Sequence, residues 1–367
     1  MIHTDTLIIG GGFSGAKVAQ KLAAAGINTL MLDRKDYFEV TYATLRNVTA
    51  PELLPKSPRK RYTDFLAGKF IHSGVSEMNQ HQVILENGET ITFRQAIIAT
   101  GSRYETMPMV KSNNSLVLEM RNQEQIKTRQ DIQAAKDILI LGGGVVGVEL
   151  AGEIAAAFPE KTVTLAHSQS TLLDTFKPKA QKLAFKQLEA LGVKIETNRL
   201  YRAEGDRYQD ANTGHTITAD LVFSAIGTQP NSEFLKPHLS AALNKQGYVK
   251  VDAYFQVEGY DNLYSLGDIA NTGSPKLGYV AGMQADLLVK NILATKAGKK
   301  AQPYKPMTKM MALVPTGPNT GLVQLPFGVT KAKFMVNMKQ RDLFIEKTFD
   351  GLDAQPDDEG SFNAQKA

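Results

Sequence analysis

The 367-residue chain is predicted to be an α/β protein built on two Rossmann-like dinucleotide-binding domains, followed by a small C-terminal α+β domain. Three observations predict it. Two glycine-rich turns, Gly10-Gly11-Gly12-Phe13-Ser14-Gly15 and Gly142-Gly143-Gly144-Val145-Val146-Gly147, each directly follow a short apolar run. An alanine-rich segment with helical spacing follows each turn. The two turns lie a domain's length apart, so the pattern is a domain duplication rather than a short-repeat array.

The elements follow in order. Thr6 to Ile9 is a buried-strand run, Ala16 to Ala25 a helix closed by Gly26, and Thr29 to Leu32 a strand ending at Asp33, which together form a βαβ unit. Pro51 to Tyr62, rich in Pro, Lys and Arg, reads as an exposed loop. Gln82–Leu85 and Thr90–Phe93 flank Asn87-Gly88, a hairpin signal. Ala96 to Thr100 is a strand ending in a turn at Gly101. The second half repeats the scheme: strand 137–141, glycine turn, helix 145–158, strand 162–166, helix 180–191 and strand 193–196. Leu221 to Ile226, before Gly227-Thr228-Gln229-Pro230-Asn231, echoes the strand-turn of the first half. A helix is expected over 278–293, a basic linker over 299–306 and a unit of short strands over 314–349. Residues 353–367 are polar without apolar periodicity and read as disordered.

Composition excludes several classes of function. Net charge is +5 with a pI near 9.0, from scattered Lys and Arg that suit anionic cofactors or an anionic membrane surface but form no nucleic-acid stripe. There is no cysteine, which excludes a redox-active dithiol, a thiolate-bound iron–sulfur cluster and a disulfide framework. The N-terminus carries no signal-peptide pattern, and Ile2 stands where N-myristoylation needs Gly. The apolar stretch 138–158 contains Glu149 and Glu153, a poor membrane span. A cytosolic address follows as the expectation.

The first motif, Gly10-x-Gly12-x-x-Gly15, has a strand before it, a helix after it, and Asp33 placed to accept hydrogen bonds from a ribose. The helix N-terminus supplies N–H groups for a pyrophosphate. In the second motif, Gly142-x-Gly144-x-x-Gly147, His167 stands where Asp33 stands in the first. A carboxylate there would repel a 2′-phosphate, so NADPH stays open alongside NADH. His167 is read either as a cofactor contact or as an ordinary strand-end residue. Glu149, placed in the first turn of the following helix, is read as a helix-terminus acid or as a nicotinamide contact. Gly267-Asp268 alone reads as a turn.

With these motifs, Ala99-Thr100-Gly101-Ser102, His167-Ser168-Gln169, Pro275-Lys276 with Tyr279, Tyr304-Lys305-Pro306 and Arg341-Asp342-Leu343-Phe344, the chain resembles flavoprotein reductases of the glutathione-reductase fold. Within them it is similar to the ferroptosis suppressor protein 1 and apoptosis-inducing-factor family, from residue 7 to about 349. The resemblance implies FAD in the first half and NADH or NADPH in the second. It implies an NAD(P)H:quinone-type oxidoreductase, with a reductase of a small electron-transfer protein or a slow redox sensor as alternatives. The candidate cofactor-binding residues are Gly10, Gly12, Phe13, Ser14, Gly15, Asp33, Arg34, Thr100, Gly101, Gly267 and Asp268, with Gly142, Gly144, Val146, Gly147, His167 and Gly227. Candidate catalytic residues are Glu149 near the nicotinamide, Lys276 at the flavin, and Tyr279 in an acceptor pocket that Gln284 could share.

The implied domains are FAD-binding (1–112 and 246–300), NAD(P)H-binding (113–245) and C-terminal (301–352), the last shielding the flavin. The expected partner is a quinone or other small acceptor, with no nucleic acid. A homodimer and a peripheral membrane contact of the C-terminal domain stay open. Lys331, Lys333, Phe334, Met335, Met338, Lys339, Arg341 and Phe344 could form that contact, or a sheet packed on the flavin domain could account for them. The myristoylation start and the aromatic-rich end of the animal members are both missing, and the chain has no tryptophan.

Overall fold

Apolar runs punctuated by glycine turns set the element order of both halves. A computed structural model describes residues 2–358. The first half holds β1 (Ile2–Ile9), α1 (Gly15–Ala24), β2 (Thr29–Asp33), β3 (Tyr37–Glu39), α2 (Thr44–Thr49) and β4 (Arg59–Arg61). It continues through β5 (Lys69–His72), β6 (Val75–Met78), β7 (Gln82–Leu85), β8 (Thr90–Ile98) and β9 (Ser102–Arg103). Helix α3 (Leu118–Ala134) leads to β10 (Asp137–Leu141), α4 (Val145–Ala157), β11 (Thr162–Ala166), α5 (Pro178–Ala190) and β12 (Lys194–Glu196). A meander of β13 (Tyr201–Glu204), β14 (Arg207–Asp210) and β15 (Thr216–Ile217) precedes β16 (Leu221–Ser224) and β17 (Gln229–Pro230). The chain returns through α6 (Lys236–Leu239), β18 (Val249–Lys250), β19 (Leu263–Ser265), β20 (Ala270–Asn271) and α7 (Gly278–Lys296). It closes with β21 (Ala312–Pro315), β22 (Gly321–Leu325), β23 (Gly328–Thr330), α8 (Lys333–Gln340) and α9 (Ile345–Asp350).

The first sheet has the order β5-β2-β1-β8-β7-β6, with β19 added to β8. Strands β5, β2, β1, β8 and β19 run parallel, and the central β2, β1 and the end of β8 are covered on both faces, which is why they read as continuous apolar runs such as Leu7-Ile8-Ile9. Strand β8 pairs with β1 along one edge and serves two partners along the other: its start closes the expected hairpin with β7, and its end receives β19. Residues 263–265 thus complete a sheet begun at residue 2. The second sheet, β12-β11-β10-β16, is wholly parallel.

Several elements depart from the sequence expectation. Pro51 to Tyr62 is not a solvated loop, because β4 pairs with β3 and buries Arg59 and Tyr62. The long helix α3 has no apolar stripe to announce it; polar side chains anchor it instead, with Arg121 and Gln125 both bonded to the Met109 carbonyl oxygen. The C-terminal unit is strands and then helices. Its sheet packs on the second half, where Val314, Leu322 and Val329 join the core of α4 and α5, while Leu343, Ile345 and Phe349 join the first half. Of the tail, Asp353–Asp358 lies against the first half, with Ser57 N–H bonded to the Asp357 carbonyl oxygen at 3.0 Å; residues 359–367 lie outside the described residues.

Two junctions fix the halves together. Strand β9 pairs antiparallel with β17, so the two connecting segments run side by side. Arg46 on α2 makes a two-point ion pair with Glu153 on α4, at 2.6 and 3.1 Å, and also reaches the carbonyl and amide oxygens of Gln340 on α8. All three side chains are buried.

A second buried network joins Glu39 to Arg59 and Arg121, each at 2.9 Å. Burial alone would raise the Glu39 carboxyl, but the two guanidiniums outweigh it and hold it below the usual carboxylate range. Its folded value lies below its unfolded one, so the stability it confers is present above a pH of about 4.3 and is lost as pH falls through the folded value. Glu39→Ala should therefore cost about 3–5 kcal/mol in urea unfolding at neutral pH, and the penalty should shrink under acid conditions. A penalty independent of pH would assign Glu39 no charged role.

Candidate functional site

The first glycine turn is fixed by contacts that leave no room for side chains. Gly10 has φ +98°, and a Cβ there would lie 2.5 Å from the Ala99 carbonyl oxygen. A Cβ on Gly15 would lie 1.8 Å from the Gly10 oxygen. Gly12 differs, since a Cβ on it would meet no protein atom within 4 Å. The opening lies at the start of α1, whose first turn carries no acid and whose N-cap, Ser14, makes no side-chain cap bond. Backbone N–H groups facing an open cradle fit a diphosphate. Asp33 accepts the Gly11 N–H at 2.5 Å and the Lys35 N–H at 2.7 Å; burial pushes its carboxyl up and these bonds oppose the shift. Arg34 points away to Glu86 at 3.2 Å, while Phe13 packs on Phe38 and Tyr42.

The second turn repeats this geometry. A Cβ on Gly142 would lie 2.8 Å from the Ala225 oxygen and one on Gly147 1.9 Å from the Gly142 oxygen, whereas Gly144 faces open space. Helix α4 has no acid in its first turn, which includes Val146, so Glu149 is not a helix-terminus acid. It lies deeper and pairs at 3.1 Å with Lys339 of α8, both side chains largely buried. Burial pushes the Glu149 carboxyl up, and Lys339 pulls it back. Lys339 also donates to the Leu313 carbonyl oxygen and sits over the Tyr42 ring, so it leaves the surface patch expected of it. His167 directly follows β11.

The strand-turns of the two halves meet. The Thr100 hydroxyl donates to the Asn231 carbonyl oxygen, and the Asn231 amide returns a bond to the Thr100 oxygen, both at 2.8 Å. Gly101 and Gly227 carry φ of +65° and +64° at these corners.

Gly267, at φ +77°, passes so close to Ser14 that a Cβ would lie 2.7 Å from its hydroxyl, which brings Asp268 to the start of α1. Asp268 accepts from Ser102 at 2.9 Å and Lys111 at 2.8 Å, and Lys111 also bonds Ser102 at 2.8 Å. Burial opposes charge on Asp268, but Lys111 outweighs it and holds the carboxyl below its usual range. Sequence reasoning missed Lys111, which sits in an irregular loop that carries no motif. The Lys276 amino group donates to the Ala270 carbonyl oxygen and lies 4.8 Å from the Tyr248 ring centre, close to Asp268. The Tyr279 hydroxyl donates to the Met311 carbonyl oxygen at 3.0 Å. Gln284 is buried and accepts the Gly267 N–H at 2.8 Å, bracing that turn rather than lining a pocket.

Residues 4–285 match the family model described as pyridine nucleotide-disulphide oxidoreductase. The chain is 32% identical to ferroptosis suppressor protein 1 of Xenopus tropicalis over 357 residues, covering 94% of both chains. It is 30% identical to the Homo sapiens protein of that name over 369 residues, covering 95% of this chain and 96% of that one. Apoptosis-inducing factor homolog B of Dictyostelium discoideum is 30% identical over 372 residues, covering 93% of this chain and 95% of that one. Among solved structures, a NAD-dependent persulfide reductase from A. fulgidus superposes with a TM-score of 0.71 at 18% identity over 87% of this chain. The match spans 63% of that chain and shows the fold alone.

The two open glycines give a paired test. Gly12→Val should yield protein that loses FAD on gel filtration, as should Asp33→Ala, read as the flavin-to-protein absorbance ratio. Gly144→Val should keep the flavin and raise KM for the nicotinamide nucleotide by about tenfold or more. Equal flavin loss from both valine variants would refute separate roles for the two turns.

Proposed function

The chain belongs to the pyridine nucleotide-disulphide oxidoreductase family, in the branch of ferroptosis suppressor protein 1, as an FAD-dependent NAD(P)H oxidoreductase, and we propose that its electron acceptor is a small quinone. The observation that carries this reading is the absence of any cysteine. With no dithiol to relay electrons, an acceptor has to reach the bound flavin directly. The first turns of α7 offer such an acceptor an apolar wall. Tyr279 and Met283, one helical turn apart, are both exposed, and the Tyr279 hydroxyl contacts the Met307 sulfur and the Met311 carbonyl oxygen. Thioether side chains adapt to a flat apolar ring and its tail.

FAD supplies the hydride-accepting chemistry when bound. In this reading the backbone of Gly10 to Gly15 holds its diphosphate, Asp33 its adenosine ribose, and Asp268, set by Lys111 and Ser102, its ribityl hydroxyls. The start of α7, which has no acid in its first turn, and Lys276 favour negative charge at the flavin. The turn Gly142 to Gly147 holds the NAD(P)H diphosphate, and Glu149, fixed by Lys339, orients the nicotinamide carboxamide.

A peripheral contact with an anionic membrane surface is part of the same reading. Among the described residues no helix is long and apolar enough to cross a membrane. Phe327, at the tip between β22 and β23, is 87% exposed, and Phe334 and Met338 on one face of α8 are 77% and 59% exposed. With Lys331 and Lys333 they present apolar side chains beside positive charge.

Two rapid-mixing experiments test the electron path. NAD(P)H should bleach the flavin, and Glu149→Ala should slow that bleaching about tenfold or more with FAD content unchanged. Ubiquinone or menaquinone should then reoxidise the flavin faster than they reoxidise free flavin under the same conditions. Quinone rates no better than free flavin, with saturation by a ferredoxin or rubredoxin, would replace the quinone with a protein acceptor. Separately, Phe327→Ser with Phe334→Ser should abolish co-sedimentation with vesicles containing phosphatidylserine. Unchanged sedimentation would remove this patch as the contact.

A further inference from the structure

We infer that Tyr42 is a catalytic residue of the acceptor step: its hydroxyl donates a hydrogen bond to a carbonyl oxygen of the quinone and passes it a proton as negative charge develops there. This role rests on the quinone reading above and names the group of this chain that acts on that acceptor.

Gly278, the first residue of α7, shows where the hydroxyl is held. Its φ is not positive, so its backbone alone does not require a glycine. A Cβ on it would stand 2.4 Å from the Tyr42 hydroxyl oxygen, 2.9 Å from Cζ and 3.1 Å from Cε1. The glycine therefore makes room for the phenol. The ring has little freedom to retreat. Phe13 packs on it with centroids 4.9 Å apart, Phe344 meets it edge to face at 6.5 Å, and the Lys339 ammonium lies 5.9 Å from its centre. The hydroxyl is thus fixed at the start of α7, next to Tyr279.

The other polar hydrogens around this space are committed. Tyr279 donates to the Met311 carbonyl oxygen, Lys276 to the Ala270 carbonyl oxygen, Lys339 to Glu149 and the Leu313 carbonyl oxygen, and Lys111 to Ser102 and Asp268. Among the described residues the Tyr42 hydroxyl has no hydrogen-bond partner, and it is not sealed from solvent. Tyr104 also lies near Asp268, but Glu149 is the other acid that acts on it, on the nucleotide side, whereas Tyr42 is acted on by Asp268 and Tyr279. Burial, Asp268 and Tyr279 all push the Tyr42 phenol up, so it keeps its proton at neutral pH and meets an acceptor as a donor. The N-terminal dipole of α7 and the Lys339 ammonium over the ring favour negative charge shared with its oxygen.

Reduction of a quinone to its quinol takes two electrons and two protons. The quinone receives both electrons and one proton as a hydride, released as an N–H bond of the reduced flavin breaks, and the flavin is oxidised by two electrons. One quinone oxygen is left as an oxyanion. Tyr42 gives that oxygen the second proton, its own O–H bond breaking, and recovers a proton from water.

The test mixes FAD-loaded protein, first reduced by NAD(P)H without oxygen, with a short-chain ubiquinone or with ferricyanide, which takes electrons singly and has no carbonyl oxygen. The ratio of the two reoxidation rate constants is internal to each preparation, so flavin-free protein cancels from it. Tyr42→Phe, which removes only the hydroxyl, should lower the ratio about tenfold or more. Gly278→Ala, which keeps the hydroxyl but displaces it, should lower it about threefold or more. Without nucleotide, equilibrium dialysis of the oxidised protein against the same ubiquinone should give a Kd about threefold or more weaker in Tyr42→Phe. A smaller effect in any of the three measurements overturns the assignment. Native reoxidation by ubiquinone no faster than that of free flavin would instead refute the quinone reading on which it rests.

Discussion

The ion pair of Arg46 and Glu153 is the constraint on which the site depends. It crosses from α2 in the first half to α4 in the second, and Arg46 extends it to Gln340 on α8. Glu153 lies one helical turn beyond Glu149, and Gln340 immediately follows Lys339. Fixing Glu153 against Gln340 therefore fixes Glu149 against Lys339, because the helices transmit the register rigidly. A buried ion pair is expensive to form and costly to break by halves, about 3–5 kcal/mol when one partner is removed. Such a contact adds little net stability but strongly disfavours any other arrangement of the three parts.

The glycine turns show which constraints belong to the fold and which to the ligand. Gly10, Gly15, Gly142 and Gly147 are required by backbone atoms lying closer than a side chain allows. Gly12 and Gly144 are not, since each faces open space at the start of a helix. Packing explains the first four. The last two leave the helix-start backbone open to close approach, as a bound diphosphate requires. Within one chain, duplication has preserved both classes of glycine and changed the residue after the second strand from Asp33 to His167.

This division also explains how much was legible in the sequence. The βαβ units, the hairpin at Asn87-Gly88 and the echo of Gly101 in Gly227 follow from local backbone demands that glycine and apolar runs display directly. Lys111, Lys339 and Arg46 carry no such signal. Each is a long cationic side chain whose role depends on an acid at least 100 or so residues away, and alone it reads as a solvated surface residue. The segment from Pro51 to Tyr62 is not a solvated loop for a related reason, since the Glu39 carboxylate and the Asn122 side-chain oxygen allow Arg59 to be buried. Helix α3 was missed because polar bonds rather than an apolar stripe hold it.

The C-terminal unit gains a second meaning from this geometry. Its sheet is built onto α4 and α5 of the second half and its last helix onto the first. It therefore bridges both halves and delivers Lys339 into the space between them. Without Lys339, Glu149 would keep only the more distant Arg46 of α2 against the burial that favours its neutral form. The lysine offsets part of that penalty and holds the carboxylate in place by a hydrogen bond at 3.1 Å. The C-terminal unit thus fixes one buried acid in the space between the two halves.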